Sequence, residues 1–167
     1  MPVTIFSYDS NLSLLCKSFC YGPKLLEKAS KEADPEARFK YVVAFAFGCT
    51  NSYIQMDKPF NPILGETYQC LIDNCPVYGE QTSHHPPISS ILMKGRGYTA
   101  YGSFEAKVNL SLNSAKGSNE GVTYISFDEN DMKKKMIKFN VPPGEVGGLM
   151  WGERTLRCVD RTQYLDE

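Results

Sequence analysis

Tyr98-Thr99-Ala100-Tyr101-Gly102-Ser103-Phe104, with Val108-Asn109-Leu110-Ser111-Leu112 after it, is the stretch from which the fold can be read. The side chains alternate in character with a period of two, as in a strand with one buried face, so residues 97–112 are predicted to be extended. The pattern recurs on both sides. Tyr68, Cys70 and Ile72 alternate with Thr67, Gln69 and Leu71, which predicts a strand at about 66–72. Residues 88–93 are apolar and β-branched at several positions. Residues 113–121 read as a polar turn region with two glycines, and 122–127 as another strand. A turn at 128–131, a strand at 136–141, a break at Pro142-Pro143-Gly144 and strands at about 146–151 and 154–159 complete the series. Consecutive strands with tight turns form an antiparallel meander, not βαβ units.

Upstream the period changes. Residues 1–8 read as extended. Asp9 or Ser10 can cap a helix through Leu12, Leu14, Leu15, Cys16, Phe19 and Cys20, which Gly22-Pro23 breaks. A second short helix carries Leu25, Leu26 and Ala29 on one side. Asp34-Pro35 supplies a cap with proline at the first helical position, so a third helix is predicted at about 35–50. Its stretch from Tyr41 to Phe47 is apolar all round, which predicts burial on more than one side. Helices at about 10–50 and strands at about 66–160 make the class α+β, or a β-barrel with helices at one end. Residues 161–167 supply no closing element, so an exposed edge is expected to be covered or to self-associate.

Two stiff segments stand out. Glu80-Gln81-Thr82-Ser83-His84-His85-Pro86-Pro87 holds the only two histidines. Pro86 fixes its own φ and pushes His85 toward extended backbone, so the two imidazoles are expected on different sides of the segment. Lys58-Pro59-Phe60-Asn61-Pro62-Ile63-Leu64-Gly65-Glu66 excludes a helix or a central strand and presents Lys58 and Asn61 on a rigid loop. A metal would need a further Cys, Asp or Glu at the same centre, and no nucleophile elbow accompanies the histidines. Both imidazoles can donate N–H groups to a phosphate; Lys58 adds a permanent cation and Asn61 an amide donor. An anion site is therefore the favoured reading, against a pair that merely satisfies buried carbonyls.

The 167 residues suffice for one domain, and 18 basic against 19 acidic residues give a net charge of −1. That balance offers no global field for nucleic acid. No apolar run reaches the roughly 20 residues of a membrane span, and the N-terminus does not read as a signal peptide. None of the six cysteines forms a CxxC pair, so they are expected to be mostly buried, inert thiols, with no structural zinc.

The two segments resemble the oxysterol-binding protein family. Residues 80–87 match its hallmark Glu-Gln-x-Ser-His-His-Pro-Pro, and 58–66 match its Lys-Pro-Phe-Asn-Pro-x-Leu-Gly-Glu segment. The upstream helices and, more loosely, Gly147-Gly148-Leu149 with Trp151-Gly152 are also similar. The resemblance implies that residues 1–167 form the N-terminal part of a lipid-binding domain. Its fold would be a large, incomplete β-barrel around a central lipid tunnel, without the family's lid and C-terminal region. It implies a non-enzymatic lipid carrier without cofactor, cytoplasmic and peripheral at organelle membranes, which it contacts transiently. The ligand would be a sterol or a phospholipid, exchanged for phosphatidylinositol 4-phosphate, whose headgroup Lys58, Asn61, His84 and His85 would hold. A phosphoinositide-dependent docking module without transport, and a histidine-dependent phosphate-ester enzyme, are the alternatives.

Overall fold

The computed structural model describes residues 6–54, 58–127, 136–158 and 164–166. Strand β1 (Phe6–Ser10) leads into helix α1 (Asn11–Ser18), a 3₁₀ turn (Phe19–Tyr21), α2 (Gly22–Lys31) and α3 (Pro35–Gly48). Each start has its expected local cause. The Ser10 side chain accepts from the Ser13 N–H. Gly22-Pro23 ends one helical segment and opens the next, since proline costs nothing in a helix's first turn. Asp34 accepts from the N–H groups of Glu36 and Ala37, with Pro35 at the first helical position. We expect Asp34→Ala to lower stability by about 1 kcal/mol in urea unfolding, the usual worth of such a cap.

Among the described residues eleven further strands follow. They are β2 (Lys58–Phe60), β3 (Thr67–Ile72), β4 (Cys75–His84), β5 (Pro87–Gly95), β6 (Tyr98–Leu110), β7 (Ser114–Asn119) and β8 (Thr123–Phe127). Then come β9 (Met136–Phe139), β10 (Gly144–Gly147), β11 (Thr155–Cys158) and β12 (Tyr164–Asp166). β1 and β2 pair in parallel as a separate two-stranded sheet. The others form a 10-stranded sheet that does not close on itself, with β3, β4, β5 and β6 as its meander. The fold class is as expected: helices first, then an antiparallel sheet with the form of an incomplete barrel.

The helices cover one face of this sheet. Alternation decides which residues face them: Val77 and Gly79 on β4, Ile91 and Met93 on β5, Tyr98, Ala100 and Phe104 on β6, Ile125 and Phe127 on β8 are all buried. Phe45 on α3 meets Phe19 edge-on at 5.4 Å and Phe139 at 6.1 Å, and Phe19 meets Phe104 at 6.1 Å. The phenylalanines of this face, with Met93 and Tyr98, thus fill a packed core between helices and sheet.

The β6 region departs from expectation. Residues 113–121 are not one turn: Ser114–Asn119 is a strand, and the turn is shorter, at 111–113. Ala106 faces Asn119 and Gly102 faces Thr123 in the same register, so β7 and β8 together form one return strand along β6. It is interrupted at 120–122, where a Cβ on Gly121 would overlap the Ser103 carbonyl. Backbone pairing on β6 and β10 makes β7 a strand although it carries no large apolar side chain. On α3, Ala44 and Phe47 are exposed while Val42, Phe45 and Ala46 are buried, so this helix buries one side and not several. The sequence also under-read β4, placed the β10 strand too late, and left the end of the chain without a strand, whereas Tyr164–Asp166 pairs with β9. The turn expected at 128–131 lies outside the described residues.

Cys16, Cys49 and Cys75 are buried free thiols, and Cys20 and Cys70 are partly buried. Burial pushes the Cys16 thiol up to about 12 and raises Cys49 further, the inert state expected of core cysteines. Among the described residues no helix is long and apolar enough to cross a membrane.

Candidate functional site

The two stiff segments meet at Gln81. On one side, β4 and β5 form a hairpin in which His84 faces Pro87, leaving His85-Pro86 as a two-residue turn with a cis peptide between them. The expectation that the imidazoles diverge is not met. Their ring centroids lie 4.7 Å apart at 64°, edge to face. Strict alternation holds only within a strand; here His84 ends the strand and His85 belongs to the turn, so the rings share a side.

Just before the turn, β4 carries one extra residue. Gln81 faces Ser89 but Ser83 faces Ile88, so Thr82 is a bulge. Its hydroxyl lies 3.2 Å from both the Ile88 carbonyl and the Ser90 hydroxyl. The bulge leaves Gln81 pointing inward, only 2% exposed. Its amide donates to the Ser83 carbonyl at 2.7 Å, and its carbonyl accepts a short bond from the Ser89 hydroxyl. A buried amide with these partners locks the hairpin end against rotation.

The main chain of the same residue holds the other segment. The Gly65 N–H donates to the Gln81 carbonyl, and the Gln81 N–H donates to the Glu66 carbonyl, both at 2.9 Å. Ile63 to Glu66 form a tight turn. The Glu66 N–H bonds the Ile63 carbonyl at 3.0 Å, and the Glu66 carboxylate accepts from the Ile63 N–H at 3.1 Å. Gly65 has φ +78, the left-handed third position of a type II turn, where a side chain would be strained. Upstream, Lys58–Phe60 is a short edge strand and not only a loop. Phe60 stacks on Phe6 at 5.0 Å, and the Lys58 ammonium lies 5.3 Å from the Phe6 ring centroid.

Of the four residues expected to bind an anion, His84 and His85 are in contact, and Lys58 and Asn61 belong to the neighbouring segment; all four are exposed. The bonds that join the segments run through Gln81, Gly65 and Glu66. Gln81 was not among the expected site residues. The signal that finds it is its strand parity, inward with Val77 and Gly79. Among the described residues no group of three or more His, Cys, Asp or Glu side chains is placed to hold a metal ion. The arrangement is a rigid frame carrying exposed N–H donors and an ammonium at the surface, which suits a phosphate ester.

A family model described as oxysterol-binding protein matches residues 1–166. Oxysterol-binding protein 9 of Dictyostelium discoideum is 33% identical over 170 residues, 100% of this chain and 39% of that protein. Oxysterol-binding protein-related protein 6 of Homo sapiens is 39% identical over 102 residues, 59% of this chain and 11% of that protein. The crystal structure of the Osh3 ORD in complex with PI(4)P from Saccharomyces cerevisiae superposes with a TM-score of 0.86 at 26% identity, over 99% of this chain and 44% of that one. The Osh1 ORD domain in complex with ergosterol, at 24% identity, shares the fold with a TM-score of 0.88 over 99% of this chain and 40% of that one. The chain thus spans less than half the length of each of these relatives and solved chains.

Proposed function

The chain belongs to the oxysterol-binding protein family, and from this premise we propose that it binds a lipid and carries it between membranes, exchanging a sterol or a phospholipid for phosphatidylinositol 4-phosphate. The observation that carries this reading is the Gln81 junction, which fixes the two donor-bearing segments side by side. In this reading Lys58, Asn61, His84 and His85 contact the inositol phosphate. A frame already rigid loses little entropy on binding. The PI(4)P held by the Osh3 relative supports the choice of headgroup.

Extraction lowers a real barrier. Exposing a lipid chain to water costs about 0.8 kcal/mol per CH₂, so unassisted escape from a bilayer is slow. The carrier reading places the protein at the cytoplasmic surface of organelle membranes, touching them transiently. It is tested by following labelled sterol and labelled phosphoinositide between donor and acceptor vesicles, with mass spectrometry of the lipids afterwards. Accelerated exchange of intact lipid is expected; a dephosphorylated product would replace the carrier by an enzyme. The second reading, a docking module, is favoured by one observation: the face under the helices is filled by side chains. It predicts headgroup binding with no exchange.

A further inference from the structure

Strand β6 runs on past the histidine turn. Ile88, next to the start of β5, faces Glu105, and β6 continues for five residues to Leu110, about 17 Å of extended chain. The far end carries two turns side by side, because Gly147 pairs with Ser114 and so brings the β10–β11 hairpin against the turn at 111–113. Asn113 ties them together. Its side-chain carbonyl accepts from the N–H groups of Met150 at 2.8 Å and Trp151 at 3.1 Å, and its amide donates to the Trp151 carbonyl at 2.9 Å. Its main-chain carbonyl accepts from the Leu149 N–H at 3.1 Å. The backbone of 149–151 is therefore held, yet its side chains stand in water: Leu149 is 37% exposed, Met150 75% and Trp151 57%, with Leu112 beside them at 81%. A loop fixed in place with adjacent large apolar side chains turned outward marks a contact surface.

We infer that this tip inserts into the lipid bilayer and docks the chain with the histidine turn at its membrane-facing end. The inference rests on the carrier reading in one respect, that a bilayer is where the bound lipid comes from. A bilayer fits the tip better than a protein does. Four such side chains expose on the order of 400 Å², about half of the ~800 Å² that each partner of a stable protein pair buries. Tryptophan favours the membrane interface, where its ring meets the acyl boundary and its N–H stays wet. The residues behind the tip supply a mixed collar with an excess of positive charge. Lys116 on β7 and Arg157 on β11 both lie opposite Glu145 on β10 in the strand register, and Arg154 follows Glu153. Its cations complement anionic headgroups at the depth where the apolar tip ends.

Trp151 is the single tryptophan of the chain, so its fluorescence reports on the tip alone. The full chain is titrated with vesicles of phosphatidylcholine and phosphatidylserine containing no phosphoinositide. The emission is expected to shift to the blue and to be quenched by phosphatidylcholine brominated on its acyl chains. Leu149→Ser/Met150→Ser, at exposed positions, should lower vesicle partitioning about tenfold or more with the unfolding temperature unchanged. Emission that neither shifts nor is quenched overturns the inference, whether or not the protein sediments with the vesicles. So does a blue shift that grows with protein concentration in the absence of lipid, which would make the occupant a second copy. Headgroup binding is measured separately, with short-chain phosphatidylinositol 4-phosphate and no vesicles. Insertion of Trp151 without that binding would overturn the carrier reading and leave the tip assignment standing.

Discussion

His84→Ala/His85→Ala is expected to weaken binding of a water-soluble short-chain phosphatidylinositol 4-phosphate by about 100-fold or more, with uptake of a labelled sterol and the unfolding temperature unaltered. Each imidazole lost removes an N–H donor to a phosphate. A hydrogen bond to a charged group contributes about 1.5–3 kcal/mol, so two together reach a factor of at least 100. Stability should be spared because both rings are exposed, with one ring packed edge-on against the other. Calorimetric titration at fixed ionic strength measures the affinity. An unchanged value would remove the histidines from the site, and a parallel loss of sterol uptake would make them structural.

The second large effect belongs to a residue that makes no proposed contact with ligand. Gln81→Leu keeps roughly the volume of the side chain and removes its polar end. The Ser83 carbonyl and the Ser89 hydroxyl then lose their partner in the interior of the hairpin. At about 1–3 kcal/mol for each of the two orphaned groups, a loss of roughly 2–6 kcal/mol is expected in urea unfolding. Headgroup affinity should fall as well in the fraction that remains folded, because the histidine turn loses its lock. The main-chain bonds to Gly65 and Glu66 need only a backbone N–H and carbonyl, which leucine keeps, so the other segment should stay in place. A change within 0.5 kcal/mol, the range of an ordinary surface substitution, would show that Gln81 is not the junction described.

Much of this was legible in the residues. The caps at Ser10 and Asp34 act through side-chain bonds a few residues away, so the sequence alone locates them. The alternation from Tyr98 to Phe104 predicts the buried face of β6, because burial is what imposes the period. The same rule failed at 114–119, where no face is deeply buried and the strand exists through its pairing with β6 and β10. Pairing partners distant in sequence leave no local trace. The site divides in the same way. Pro86, Pro87, Pro59 and Pro62 announce two stiff segments, and their family resemblance points to a ligand. The bulge at Thr82 and the bonds that fasten Gly65 and Glu66 to Gln81 are facts of tertiary register. The contact between the imidazoles likewise follows from where the strand ends, and residue spacing alone predicts the opposite.

The interruption at Gly121 divides β6 into two neighbourhoods. From Tyr98 to Gly102 the strand is flanked by β5 on one edge and β8 on the other, with the helices over one face. From Ala106 to Leu110 it pairs with β7 and is exposed along its whole length. One continuous strand therefore contains amides of two kinds. Those before the interruption should exchange with deuterium only through global unfolding, and those beyond it through local opening of the distal hairpin, at lower free energy. The end that carries Trp151 can thus open and close on its own timescale while the packed half keeps its protons.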